Sequence, residues 1–334
     1  MTEAALGAQA GRTGLWRLPF ALRSPAGPRG RLTVLIFHRV HAVLDTMFPN
    51  EVHARSFRER LEWIRAWFNI LPLDDAVRAL SAGTIPERAA SITFDDGYAD
   101  NVEIALPILR ELRLPATFFI ATGFLNGGRM WNDSVIEAVR KTALPHLDLT
   151  ALGLNVYHLG SDESRRRAIQ SILSGIKYRG PSAREEAVAH LVENARVCVP
   201  DDLMMSTDYV RTLAAAGMGI GAHTDSHPIL CALDDAAAHR EMAKSREVLE
   251  GIVHQPVRLF AYPNGKPDVD YRKRHTEIAR KLGFAAAFST APGAAGRNHL
   301  PYELPRFTPW DQTRVRWAVR LFRNLKLPVN TASQ

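Results

Sequence analysis

The sequence predicts an α/β protein, a parallel sheet with helical crossovers that is either open or closed into a barrel. Short apolar runs without polar alternation recur along the chain, as expected of strands buried on both faces. Segments with apolar residues at helical spacing lie between them. Finally, His38, Asp95, Asp96, His223 and Asn264 each fall at the C-terminal end of such a run. Parallel α/β folds gather their active sites at that end of the sheet.

The elements follow in order. Residues 1–30 are rich in Gly, Pro, Ala and Arg and read as a disordered basic tail. Leu32–Phe37 is the first strand. A helix runs from about Ser56, its expected N-cap, to Phe68, with Phe57, Leu61 and Ile64 on one face. A short strand at Ile70–Leu73 leads to a short helix, Asp74–Ala82, stopped by Gly83. Ala90–Phe94 and Ala116–Ile120 are buried strands on either side of a helix, Asn101–Leu112. From about 124 to 205 the sequence turns polar and helical, and reads as an insertion. Alternation then resumes: helix Thr207–Ala216, strand Gly219–Ala222, helix Ala236–Glu250, strand Leu259–Tyr262, helix Tyr271–Leu282 and strand Ala285–Ser289.

Composition narrows the setting. The 334 residues carry a net charge of +7, with much of the excess at the two ends. Arg314, Arg316, Arg320, Arg323 and Lys326 follow the last acid, Asp311. Basic ends suit nucleic acid or an anionic membrane, but solvated tails explain them as well, and no nucleic-acid partner is expected. No apolar run is long enough to span a bilayer, and the first residues lack the form of a secretory signal. The two cysteines, Cys198 and Cys231, have no framework spacing. A cytoplasmic protein is the expectation. Trp317, Leu321 and Phe322 interleave with Arg316, Arg320 and Arg323, the pattern of a basic amphipathic helix suited to peripheral membrane contact.

Two motifs carry the chemistry. In Thr93-Phe-Asp-Asp-Gly97, two adjacent acids at a strand end repel unless a cation offsets them. Their side chains point different ways, which suits two jobs, one binding a metal and one handling a proton. In His223-Thr-Asp-Ser-His227, two imidazoles four residues apart reach one point on a tight turn. Two His and one carboxylate make an open metal site, with positions left for water and substrate.

Together these motifs resemble the first two motifs of the NodB-type polysaccharide deacetylases, carbohydrate esterase family four, and Phe260-Ala-Tyr-Pro-Asn-Gly265 resembles a variant of the third. The resemblance runs from about Leu32 to Phe307. It implies a distorted (β/α) barrel of about seven parallel strands over residues 31–310, with the helical insertion at about 124–205 and a basic helix and tail at 311–334. It implies Asp96, His223 and His227 as ligands of a divalent metal, with Zn²⁺ the leading candidate, and Asp95 as general base. It also places an oxyanion-binding backbone N–H near Asn264. The family's acid is commonly a His near the C-terminus. Here Val34-Leu-Ile-Phe-His38 has the required form, as in a circularly permuted branch, and His38 is the candidate acid. The arginine that orients the base is replaced by Ala261, and Arg306 is the candidate substitute. Trp131, Tyr98 and Tyr262 are candidates to line a sugar pocket.

The implied function is removal of N-acetyl groups from amino sugars in a polysaccharide, oligosaccharide or lipid-linked glycan precursor, as in exopolysaccharide biosynthesis. Two other readings compete. A non-catalytic glycan-binding member of the fold draws support from the missing arginine. A non-haem Fe(II) oxygenase would use His223 and Asp225 with a distal His275 or His299, but it requires an all-β jelly roll.

Overall fold

The computed structural model describes residues 16–333. Its core is an eight-stranded sheet. The strands are β1 (Arg31–Phe37), β2 (Asn69–Ile70), β3 (Ala89–Phe94), β4 (Thr117–Ile120), β7 (Gly219–Ala222), β8 (Leu259–Ala261), β9 (Ala286–Phe288) and β10 (Ala295–Gly296). They lie in the order β10-β1-β3-β4-β7-β8-β9, with β2 also paired to β3. Every pairing is parallel except β1 with β10. The segment Leu304–Phe307 lies between β9 and β1. The Leu304 N–H donates to Ala287 and the Phe307 N–H to Val34. The sheet thus curls into the α/β barrel that the sequence predicts.

Each strand face is apolar for a reason visible in the packing. Leu32, Val34, Phe119, Ala261 and Phe288 point into one cluster, where the Phe119 and Phe288 rings lie 5.6 Å apart. Leu35, Ile92, Phe94, Phe118 and Phe260 pack outward against the helices. These are α2 (Ala54–Trp67), α4 (Leu106–Leu112), α8 (Thr207–Ala215), α9 (Asp235–Val253) and α10 (Lys273–Lys281). Helix α3 (Leu73–Ala82) ends at Gly83 with φ +71°, the left-handed cap that glycine adopts at no steric cost.

Several local expectations change. Residues 16–30 are not a disordered tail: Arg17–Arg23 forms helix α1, and Phe20 is fully buried against Trp67 and Phe68. Residues 1–15 lie outside the described residues. Ser56 is not the N-cap of α2. His53 is, and the Ser56 hydroxyl accepts from the His53 N–H in a capping box. The helix expected at Asn101 begins with a π turn, Asn101–Ala105. Pro107 has no N–H to give to the preceding turn, and the Leu106 N–H reaches back to Asn101.

The C-terminal helix α11 (Arg314–Asn324) turns its apolar face inward. Trp317 and Leu321 are fully buried, and Trp317 meets Trp63 edge-on at 6.0 Å. That face is consumed by the core, which corrects the expectation of membrane contact through this segment. No helix among the described residues is long and apolar enough to cross a membrane.

The insertion has its own core. It contains α5 (Trp131–Lys141), a hairpin of β5 (His146–Asp148) and β6 (Val156–His158), α6 (Asp162–Ile176) and α7 (Pro181–Ala195). Val135, Val139, Leu147, Ile169, Ile172 and Leu191 are buried together there. The hairpin escaped the sequence reading because only Leu147 and Tyr157 of its six strand residues are buried. The insertion returns to the barrel by pairing Met204 with Tyr98.

Candidate metal centre and active site

The site is built from the loops that follow β1, β3, β7 and β8. Asp95 and Asp96 end β3, and the Asp95 N–H donates to the Phe37 carbonyl, which registers this end against β1 and His38. Asp96 has φ +78° and Gly97 φ +90°, so the backbone reverses sharply after the pair. A Cβ at Gly97 would lie 2.9 Å from the Ile120 side chain, so only glycine fits the turn. Thr224, His227 and Asn264 also have positive φ, at 66°, 53° and 56°. Non-glycine residues hold this conformation only where surrounding structure enforces it, and such positions cluster at functional sites.

The adjacent acids diverge as their alternation requires. Asp96 turns to the histidines: its Oδ1 lies 3.4 Å from both His223 Nε2 and His227 Nε2. One ligand atom from each of the three falls within 4.8 Å of the others. The Asp96 Oδ1 is buried with no hydrogen-bond partner among the described residues. An orphaned carboxylate oxygen facing two imidazole nitrogens fits a divalent cation, which supplies the charge that burial otherwise makes costly. His223 Nδ1 lies 2.8 Å from the Ala261 carbonyl, so this nitrogen carries the proton and Nε2 is left free as a ligand.

Electrostatics agree. Burial pushes the His227 imidazole down to about 4, so it is neutral at ordinary pH and able to coordinate. Burial works to raise the Asp96 carboxyl, but the histidines hold it well below the usual carboxylate range. The His223–His227 loop is held in turn by α9. Glu241 accepts from the Asp225 and Ser226 N–H groups, and Lys244 pairs with Asp225 at 2.6 Å.

Asp95 turns the other way. Arg306 donates to both its oxygens, at 2.6 and 2.7 Å, and anchors its own Nε on the Ser289 carbonyl at 3.2 Å. Both side chains are buried. Burial alone would raise Asp95, but the guanidinium, with His223, holds it below the usual range, so it stays ionised. The guanidinium absent at Ala261 therefore comes from the segment that spans β9 and β1. This removes the one sequence feature that favoured a non-catalytic protein.

His38, exposed at the end of β1, lines the same cleft as Asp95, Asp96, His223, His227, Trp131 and Asn264. The Asn101 side-chain amide holds its carbonyl at 2.7 Å, so the π turn fixes this end of β1. The cleft has a volume of about 340 Å³. Among the described residues, no hydrogen bond uses the Asn264 N–H.

Two expected residues lie elsewhere. Tyr262 is fully buried in the core, stacked on Tyr271 at 4.0 Å with its hydroxyl on the Tyr302 carbonyl. Tyr98 is buried and donates to Asp133, whose carboxyl is pushed up to about 7 by burial. It lines a smaller side chamber that shares only His38, Asp96 and Asn132 with the main cleft. The sequence reading missed Lys177 and Arg184, which line the main cleft from the insertion. No motif marks them, because only the fold of the insertion brings them there. The parallel sheet excludes the oxygenase reading. His275 is buried on α10, and His299 accepts from the Gly296 N–H next to β10, so neither reaches the triad.

The fold and the order of these motifs define a polysaccharide deacetylase. The chain belongs to that family: the polysaccharide deacetylase model matches residues 82–146 and 182–287, half of its length. YxkH of Bacillus subtilis (strain 168), whose name assigns it to the polysaccharide deacetylases, is 21% identical over 83% of this chain and 70% of its own. The poly-β-1,6-N-acetyl-D-glucosamine N-deacetylase of Staphylococcus aureus is 28% identical, over 30% of this chain and 34% of its own. Among solved structures, the Streptococcus pyogenes deacetylase PplD, in complex with acetate, superposes with TM-score 0.59 at 18% identity. That match covers 89% of this chain and 99% of PplD. IcaB of Ammonifex degensii gives 0.55 at 19%, covering 88% and 98%.

Proposed function

We propose that this deacetylase removes N-acetyl groups from amino sugars of a glycan made for export or for the cell surface, and that Asp96, His223 and His227 hold its metal. The observation that carries the reading is the pair of opposed carboxylates. Asp96 faces two imidazoles with an unpartnered oxygen, and Asp95 is clamped by Arg306 beside it. Zn²⁺ suits this two-histidine, one-carboxylate set, and when bound it polarises the amide carbonyl and acidifies water.

The chain's own groups do the rest. Asp95 accepts the proton of the attacking water, and Arg306 keeps it ionised and aimed. The Asn264 N–H faces the developing oxyanion. His38 delivers a proton to the departing amine, so cleavage leaves a free amino sugar and acetate. Its place at the end of the first strand is that of a permuted last motif. Trp131 packs against the sugar ring at the rim.

Acetate release from N-acetylated oligosaccharides tests the reading, measured with a chelator and after addition of Zn²⁺. Release that stops with chelator and returns with metal is expected. No release from any acetylated glycan by the metal-loaded chain would overturn it.

A further inference from the structure

A second groove adjoins the catalytic cleft. Trp131 and Arg184 line both the cleft and an adjoining groove of about 580 Å³. The groove runs along α7; Phe124, Val188, Ala189, Val192 and Pro228 give it a mostly apolar wall, to which Arg129, Glu185 and Glu193 add charge. A surface helix normally turns polar residues outward. Here Ala189 is exposed and Val192 half-buried, so the apolar face of α7 continues past its packing contact into open space. An apolar groove that adjoins a catalytic cleft is a binding feature more than a packing defect.

Arg184 stands at the junction, since it borders both chambers. Among the described residues its Nε is buried without a partner, and the guanidinium makes one long hydrogen bond, 3.4 Å, to the Lys177 carbonyl. The guanidinium lies over the Trp131 ring at 5.2 Å. Among the described residues no carboxylate pairs with it, and the neighbouring acid, Glu185, acts on it only through space. Lys177 lines the same wall of the cleft. A half-buried, unpaired guanidinium on the same cleft wall as a lysine is a binding element for phosphate, whose oxygens match the donor fork.

We propose that the substrate is an N-acetylated amino sugar carried on a lipid phosphate. The sugar sits at the metal triad, the phosphate at Arg184 and Lys177, and the hydrocarbon tail along the α7 groove. The order of chemistry along the cavity is the order of groups in such a molecule. A free polysaccharide would satisfy the floor of the cleft and leave the guanidinium and the groove without partners. The proposal rests on the deacetylase reading above and adds the carrier.

The full chain loaded with Zn²⁺ is offered one N-acetylated sugar in three forms: on a polyisoprenyl phosphate, as the glycosyl phosphate without a tail, and as a free oligosaccharide. Acetate release should give a kcat/KM for the lipid-borne form at least about tenfold above either other form. R184Q and V192D should each remove most of that advantage. In parallel, the metal-free chain is titrated calorimetrically with polyisoprenyl phosphate lacking any sugar. Either substitution should weaken binding about tenfold. Equal or faster turnover of the free oligosaccharide overturns the proposal, as does polyisoprenyl phosphate binding indifferent to both substitutions. Binding that depends on Arg184, with no acetate released from any form, would sink the deacetylase reading and leave the carrier site standing.

Discussion

The two walls of the cleft differ in kind. The barrel wall supplies Asp95, Asp96, His223, His227 and Asn264 from strand ends, and its Asp95, His223 and the His223–His227 loop are tied to neighbouring elements. Asp95 has Arg306 and the Phe37 carbonyl, and His223 has the Ala261 carbonyl. The His223–His227 loop has Glu241 and Lys244. The insertion wall supplies Trp131, Lys177 and Arg184 from helices with a separate core, and its cations have few partners. The contrast separates chemistry from selection. In the proposed reading the floor performs the reaction, while the attached wall chooses what is presented to it.

The largest effects should come from the floor. D96A removes the carboxylate shared by both histidines, so metal analysis should find the ion lost and acetate release abolished. Undiminished metal affinity would break the assignment. D95N should keep the metal, because Asp95 points to Arg306, and still lower acetate release about 10²–10⁴-fold, the range of general acid–base catalysis. Retained metal with lost turnover distinguishes the two neighbouring acids. H38A should fall in the same range on N-acetyl substrates, and much less on an aryl acetate, whose leaving group needs no proton. Equal losses on both would remove His38 from the role of acid.

The barrel floor was largely legible in the sequence, and of the insertion wall only Trp131 was. Thr93–Gly97 and His223–His227 are contiguous motifs, and adjacent residues of a strand must diverge, so the two roles of Asp95 and Asp96 follow from local geometry. Arg306 was reachable only as a candidate, because its pairing with Asp95 depends on how Leu304–Phe307 crosses between β9 and β1. Tyr262 misled because a tyrosine at a strand end has the same local signature whether it faces the cleft or, as here, stacks in the core on Tyr271. Lys177 and Arg184 come from polar helices whose periodicity marks only their buried faces. Nothing in their spacing says that they meet the barrel.

Arg306 tests the floor at intermediate cost. R306M leaves a buried carboxylate without its cation, which typically costs about 3–5 kcal/mol. It should also raise the Asp95 pKa, since the guanidinium holds it down. The sign follows from linkage. In the native chain the pair stabilises above the ordinary carboxylate range, and that stabilisation is lost only as pH falls through the depressed value. In R306M the acid limb of the kcat/KM profile should move to higher pH. A pH profile unchanged in shape, with activity merely lower, would mean that Arg306 positions Asp95 without tuning it.

Trp131 should give the smallest effect and the one most diagnostic of the wall. It opens α5, lines both chambers and carries Arg184 over its ring. Among the described residues no hydrogen bond joins its side chain to Asp95 or His38, so W131A should raise KM about tenfold, equivalent to about 1.4 kcal/mol, and leave kcat within about twofold. Loss of the ring also frees the guanidinium of Arg184 from its platform. The KM effect should therefore be larger on a phosphate-bearing substrate than on a neutral oligosaccharide. A fall in kcat with KM unchanged would place Trp131 with the floor and erase the division between the two walls.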